Sequence, residues 1–257
     1  MNNLTATIIQ YNIAWEDKRA NFRKIEELAN RIDTTDLIVL PEMFSTGFSM
    51  NVSGMAEKMD GLSVNWMKQF SVEKNAAICG SLIIEENGKY YNRLLFVQPD
   101  GQVFWYDKRH LFTMGDEQTY YTPGNQRLIV EFRGFRILPL ICYDLRFPVW
   151  SRNRNDFDLM IYVANWPAPR RKAWKTLLKA RAIENQSYLV AANRTGTDAN
   201  GIKYSGDSYT IDAKGKINRK LEKSKEGAIS EKFSLESLHK FRQKFSVLND
   251  ADQFSLI

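Results

Sequence analysis

An apolar run that stops at a cysteine and turns at once into charge constrains this chain more than any other feature. In Ile137-Leu-Pro-Leu-Ile-Cys142-Tyr-Asp-Leu-Arg-Phe-Pro148, the polar groups Tyr143, Asp144 and Arg146 follow directly on the sulfur. A short apolar run bounded by turn signals fits a buried strand, although periodicity alone does not separate it from a buried helix. Pro139 removes a ladder donor, so the strand must be an edge there, carry a bulge or start late. Cysteine is common in cores as a small apolar residue, yet the charge beyond Cys142 suits the mouth of a pocket better than an interior. A thiol with a pKa of about 8.5 is mostly protonated at neutrality, so a reactive Cys142 needs a base for its proton and a donor for an oxyanion.

Other strand ends offer both. Asp36-Leu-Ile-Val-Leu40 reads as a buried strand that runs into Pro41-Glu42-Met43-Phe44. Proline cannot continue a central ladder, which puts Glu42 just past the strand end, where α/β sheets tend to place active-site residues. Taken alone, Glu42 fits a surface loop equally well. Asn87-Gly88 and Pro99-Asp100-Gly101 are hairpin and turn signals. They predict consecutive antiparallel strands over 89–98 and 102–107, with Lys108 closing the second.

The remainder alternates helix and strand. Phe22, Ile25, Leu28, Ala29 and Ile32 share one helical face, as do Leu62, Trp66 and Phe70, and again Trp174, Leu177, Leu178 and Ala182. Strands are expected over 5–11, 76–84, 157–164 and 188–193, with Cys79 as a core residue. Hairpins at Gly88, Gly101, Gly134 and Gly215 make the fold α/β with mixed sheets, and the strands suffice for two of them. No linker-like stretch divides the 257 residues, so one domain over 1–257 is expected. The tail, 246–257, has no regular pattern and is a candidate for docking on a neighbour.

Composition narrows the class. No basic leader or long apolar stretch opens the chain, which points to a cytoplasmic protein without a membrane partner. Two cysteines, Cys79 and Cys142, do not make a disulfide framework, and two histidines, His110 and His239, give no zinc spacing, so no metal is expected. The net charge of +6 and the basic stretch from Lys214 to Lys225 raise nucleic acid as a partner. Glu222 and the Gly215 turn favour a solvated hairpin instead, and no nucleic acid partner is expected.

Taken together, Pro41-Glu42-Met43-Phe44, Tyr106-Asp-Lys108-Arg-His-Leu-Phe112 and Cys142-Tyr-Asp-Leu-Arg-Phe-Pro148 resemble the three catalytic motifs of the nitrilase, or carbon-nitrogen hydrolase, superfamily. Val163-Ala-Asn-Trp-Pro-Ala-Pro-Arg170, Ala180-Arg-Ala-Ile-Glu-Asn185 and Leu248-Asn-Asp-Ala-Asp-Gln-Phe254 extend the likeness over essentially the whole chain, in the manner of the omega-amidase branch. The resemblance implies a four-layer α-β-β-α sandwich and a homodimer. It further implies Cys142 as nucleophile, Glu42 as general base and acid, Lys108 as oxyanion donor, Glu117 in the place of the family's second glutamate, and no cofactor. The Tyr143 backbone N–H is the expected second oxyanion donor.

For that branch the implied substrate is a small molecule, the terminal amide of a 2-oxo dicarboxylic acid such as 2-oxoglutaramate. Its far carboxylate calls for a cation, and Arg146 and Arg170 are the candidates; an equal alternative pairs Arg146 with Asp144. Trp166 and Phe48 either line the pocket or simply pack. The competing readings are an amidase or carbamoyl-amine hydrolase with another substrate, a true nitrilase, a Cys-His hydrolase using His110, and a non-catalytic basic binding module.

Overall fold

The computed structural model describes residues 3–255. In chain order the strands are β1 (Asn3–Gln10), β2 (Leu37–Val39), β3 (Ala77–Glu86), β4 (Lys89–Val97), β5 (Val103–Asp107), β6 (Val130–Phe132), β7 (Phe135–Ile141), β8 (Leu159–Ala164), β9 (Tyr188–Asn193), β10 (Thr195–Thr197), β11 (Lys203–Ser205), β12 (Tyr209–Ile211), β13 (Ile217–Lys220) and β14 (Gly227–Ser234). The helices are α1 (Lys18–Ala29), α2 (Val52–Met55), α3 (Leu62–Lys74), α4 (Glu117–Tyr120), α5 (Arg171–Glu184) and α6 (Leu235–Lys244).

Two six-stranded mixed sheets, ordered β14-β1-β2-β3-β4-β5 and β13-β12-β9-β8-β7-β6, stack on one another. Side chains alternate across a strand, and that alternation sorts the core. Leu37 and Val39 of β2 face the second sheet, in one cluster with Leu140 and Tyr162, whereas Ile38 faces outward against Ile25 of α1 and Met67 of α3. The second sheet buries its other face beneath Trp174, Leu178 and Ala182 of α5. Helix, sheet, sheet and helix therefore make four layers, as the sequence led one to expect.

Local details follow the residues. Asp17 caps α1 by accepting from Ala20 N, and Asn75 ends α3 in the left-handed region at φ 46°. In α3 the buried face is Val64, Met67 and Phe70, and Leu62 at the first turn is exposed, contrary to its expected place. Pro139 lies in β7 beyond Ile137, the last residue paired to β6, so its missing N–H faces a locally unpaired edge. Cys79 is fully buried in the core, and burial pushes its thiol pKa up. In the tail, Leu248 is buried within a short turn, Val247–Asp250, and 256–257 lie outside the described residues.

Strands β1, β2 and β3 run parallel, as do β7, β8 and β9. The carboxyl ends of both sets deliver Glu42, Cys142 and Asn165, and that of β5 delivers Lys108, into one crevice, the place where open α/β sheets hold ligands.

Candidate active site

A cavity of about 450 Å³ opens over these strand ends, and Glu42, Lys108 and Cys142 are part of its lining. Cys142 follows β7 without a spacer and takes φ 41°, a left-handed conformation that costs a side-chain-bearing residue about 1–2 kcal/mol. The turn that follows holds it there. Asp144 is fully buried and accepts from Ile141 N at 3.0 Å, Tyr106 OH at 2.8 Å and His110 N at 3.0 Å.

Met43, next to Glu42, is left-handed as well, at φ 45°. Its N–H donates to Ser81 Oγ at 2.8 Å, and its carbonyl accepts from Gly47 N at 2.8 Å. Gly80 of β3 permits this turn: a Cβ at Gly80 would stand 2.9 Å from the Phe44 ring.

The charges converge on Lys108. Its Nζ donates to Glu42 Oε1 at 2.8 Å and to both Glu117 oxygens at 3.0 and 2.9 Å. Asn92 on β4 bridges the two carboxylates, donating to Glu42 Oε1 at 2.8 Å and Glu117 Oε1 at 3.1 Å. Glu42 Oε2 accepts from Asn165 N at 2.8 Å, and Glu117 Oε2 from Phe112 N at 2.6 Å. All three charged groups are buried.

Burial disfavours the Lys108 ammonium, but the Glu117 and Glu42 carboxylates outweigh it and hold its pKa above the ordinary value. Burial raises the Glu117 pKa, with Lys108 pulling against it. Burial first, and the Glu42 charge second, push the Cys142 thiol well above its usual range, opposed by Lys108. The resting sulfur is therefore a thiol that needs a base. An ammonium carries three protons, and two Glu117 oxygens side by side can share one of them, leaving an N–H to turn toward an oxyanion.

The sequence-derived candidates assemble as a group. Glu117 supports Lys108; Tyr143, Phe48, Trp166, Arg146 and Arg170 all line the cavity. Phe48 lies 5.3 Å from Lys108 Nζ, so it contacts the charge cluster as well as the pocket. The pairing of Arg146 with Asp144 does not form. Asp144 is saturated by backbone and by Tyr106 and His110, and the Arg146 guanidinium lies over Trp166 at 5.2 Å. Arg170 lies over Phe112 at 5.1 Å. His110 stacks on Phe147 at 3.8 Å and meets Asp144 through Nδ1 at 2.8 Å; it is not among the residues lining the cavity around Cys142, so the site lends the Cys-His mechanism no support.

Sequence reasoning missed Asn92, and it gave Asn165 no role although its motif was visible. Also missed were the pocket-wall residues Trp15, Glu16, Asp198 and Tyr204. Among the described residues no group of three His, Cys, Asp or Glu side chains is arranged to hold a metal ion. Nor is any described helix long and apolar enough to cross a membrane.

A two-sheet sandwich with a cysteine, a lysine and a glutamate at its strand ends and a second glutamate on α4 defines a class, and the chain belongs to the carbon-nitrogen hydrolase family, whose model matches residues 5–243. Within it, the chain is 48% identical over 256 residues to omega-amidase YafV of Escherichia coli strain K12, covering 100% of both proteins. It is 31% identical over 252 residues, 96% of each, to a 2-oxoglutaramate amidase of Bacillus subtilis strain 168. A crystal structure of a CN-hydrolase superfamily protein from Xanthomonas campestris, with an arsenic adduct in its active site, superposes with a TM-score of 0.96 at 41% identity over 100% of both chains.

Proposed function

We propose that the protein is an omega-amidase: it hydrolyses the terminal amide of 2-oxo dicarboxylic acid monoamides, 2-oxoglutaramate and 2-oxosuccinamate, to the acid and ammonia. The observation that carries this reading is the pocket itself, with Lys108 and Glu42 in its lining, Glu117 bonded to Lys108, and two arginines on its wall, Arg146 and Arg170, that have no carboxylate partner among the described residues. The likeness to an omega-amidase over the full chain supports the same substrate class.

In this mechanism the Cys142 sulfur attacks the amide carbon while its proton passes to Glu42. The carbonyl oxygen becomes an oxyanion held by Lys108 Nζ and the Tyr143 N–H, each such donor contributing roughly 3–4 kcal/mol. Collapse breaks the C–N bond, and the proton on Glu42 leaves with ammonia. Glu42 then takes a proton from water, whose oxygen attacks the thioester; the acid departs and the proton returns to sulfur. Asn92 and Asn165 keep the Glu42 carboxylate aimed through these transfers. Glu117 keeps Lys108 charged and in place.

Arg146 and Arg170 receive the far carboxylate, and Trp166 and Phe48 line the path of the carbon chain. The reading further includes one domain over 1–257, a homodimer, a cytoplasmic location, and no cofactor, nucleic acid or membrane partner. Light scattering on the eluted protein tests the dimer.

The test of function is ammonia release from 2-oxoglutaramate, 2-oxosuccinamate, glutamine, an N-carbamoyl amino acid and a simple nitrile, run beside Cys142→Ala. Preference for the two oxo-acid amides, lost in the variant, is the expected result. A preference for the carbamoyl amino acid or the nitrile would overturn the substrate assignment.

A further inference from the structure

Behind one wall of the pocket lies a buried charge that the mechanism does not use. Arg194, directly after β9, is fully buried, yet its acceptors are uncharged: Nε donates to Thr195 O at 3.2 Å, and Nη2 to Asn12 Oδ1 at 3.0 Å and Ile13 O at 3.2 Å. Its Nη1 has no hydrogen-bond partner among the described residues. That atom is packed behind the pocket, 3.5 Å from where a Cβ on Gly47 would stand, and the same point is 3.1 Å from the Trp15 ring. The guanidinium lies 4.6 Å from the centre of the Tyr204 ring, and both Trp15 and Tyr204 line the cavity.

A buried guanidinium without a contact carboxylate is costly. Burial pulls its pKa down, and Tyr204, Asp198 and Tyr11 pull the other way. Asp198 does not close an ion pair with it, because Asp198 accepts instead from Asn200 N, Ile202 N and Tyr204 OH, each at 2.9 Å.

The charge balance of the pocket gives this cost a use. Three carboxylates line the cavity, Glu16, Glu42 and Asp198, and of these Glu16 and Asp198 lie outside the Lys108 cluster. Negative charge at Glu16 and Asp198 would by itself weigh against an anionic substrate at that wall.

We infer that Arg194 is a specificity-determining positioning residue: its buried, unpaired charge offsets the acidic wall and tunes the pocket toward amides that carry a carboxylate. This deepens the omega-amidase reading and rests on it for the sign of the substrate charge. Arg194 does not touch the substrate. It acts through the wall formed by Trp15 and Tyr204, where low polarizability lets a fixed charge reach farther than in water.

The experiment compares kcat/KM for anionic 2-oxoglutaramate with that for uncharged pentanamide, which has the same number of carbons; pentanamide is scored as a competitor if its turnover is slow. In Arg194→Met the ratio of anionic to neutral is expected to fall about tenfold, as the loss of one nearby charge requires, and mainly through KM. Arg194→Lys keeps the charge and is expected to keep most of the ratio. Asp198→Asn removes a negative charge without touching Arg194, and its ratio is expected to rise.

A ratio that stays constant while both substrates weaken together would show that Arg194 only braces the wall and would overturn the inference. If Arg194→Met does not fold, an unchanged ratio in Asp198→Asn overturns the wall-charge account by itself. A wild-type ratio near one would count against the acid-amide reading, while the change from wild type to variant still reports on Arg194.

Discussion

Two clusters of one cation and two carboxylates sit back to back on the hairpin of β4 and β5. On one face, Asn92 and Lys108 gather Glu42 and Glu117. On the other, the adjacent residues Arg93 and Asp107 pair directly across the strands, and Arg93 also reaches Glu86. The strand period of two sends neighbouring side chains to opposite faces, so one hairpin builds both. The difference lies in the cation. Arg93 is a planar fork locked onto Asp107 by bonds of 2.7 and 2.9 Å, with Glu86 half exposed, and it serves as a brace. Lys108 is a point charge with protons that can be redirected, sealed with both carboxylates away from water and set beside a thiol. Equal charge counts thus give a strut on one side and the proposed reactive centre on the other.

That contrast breaks most sharply at Cys142. Cys142→Ala is expected to bring ammonia release down to background while circular dichroism and the melting temperature stay near wild type. Lys108→Met is expected to lower kcat by about a thousandfold or more, since it removes an oxyanion donor and leaves two carboxylates to share a buried space. Single-turnover kinetics read that loss. A kcat within tenfold of wild type would place the oxyanion donor elsewhere.

Glu117→Gln is a finer probe. It keeps a hydrogen-bonding group beside Lys108 but removes a charge whose ionised form is disfavoured by burial. A fall in kcat of roughly ten- to a hundredfold is expected, without loss of thermal stability. Glu42→Gln, by contrast, is expected to lose both acylation and deacylation.

The smallest effect belongs to the brace. The Arg93 hydrogen bond, then its charge, holds the Glu86 pKa below the ordinary 4.5. A lowered carboxylate contributes stability that is present above its unfolded value and lost as pH falls through its folded value. Glu86→Gln is therefore expected to lower the melting temperature by no more than about 2 °C at neutral pH. The loss disappears at pH values below the folded pKa, with kcat unchanged. A clear drop in kcat would join the two clusters that the hairpin keeps apart.

Much of this was legible in advance where a residue type has one physical use. Pro99-Asp100-Gly101 declares the hairpin that carries both clusters, Asn87-Gly88 marks where its first strand begins, and Pro41 and Cys142 mark strand ends. Partners brought together by the tertiary fold were not legible. Asn92 lies mid-strand, where an asparagine reads as a weak strand former, and only the approach of Glu42 and Glu117 gives it a purpose. In sequence Asp144 reads equally well as a partner for Arg146 that braces the turn after Cys142; in space Tyr106 and His110 claim it first. Arg194 carried no local signal, since its burial depends on the loop after β1 and on the β10–β11 hairpin closing around it.

The most direct test of the central claim is intact-protein mass spectrometry on enzyme quenched during turnover of 2-oxoglutaramate. The expected result is a species heavier by the acyl group, mapped by peptide digestion to Cys142, absent from Cys142→Ala and released on further incubation in water. Ammonia production with no such species, or an adduct on a different residue, would contradict the assignment of Cys142 as the nucleophile.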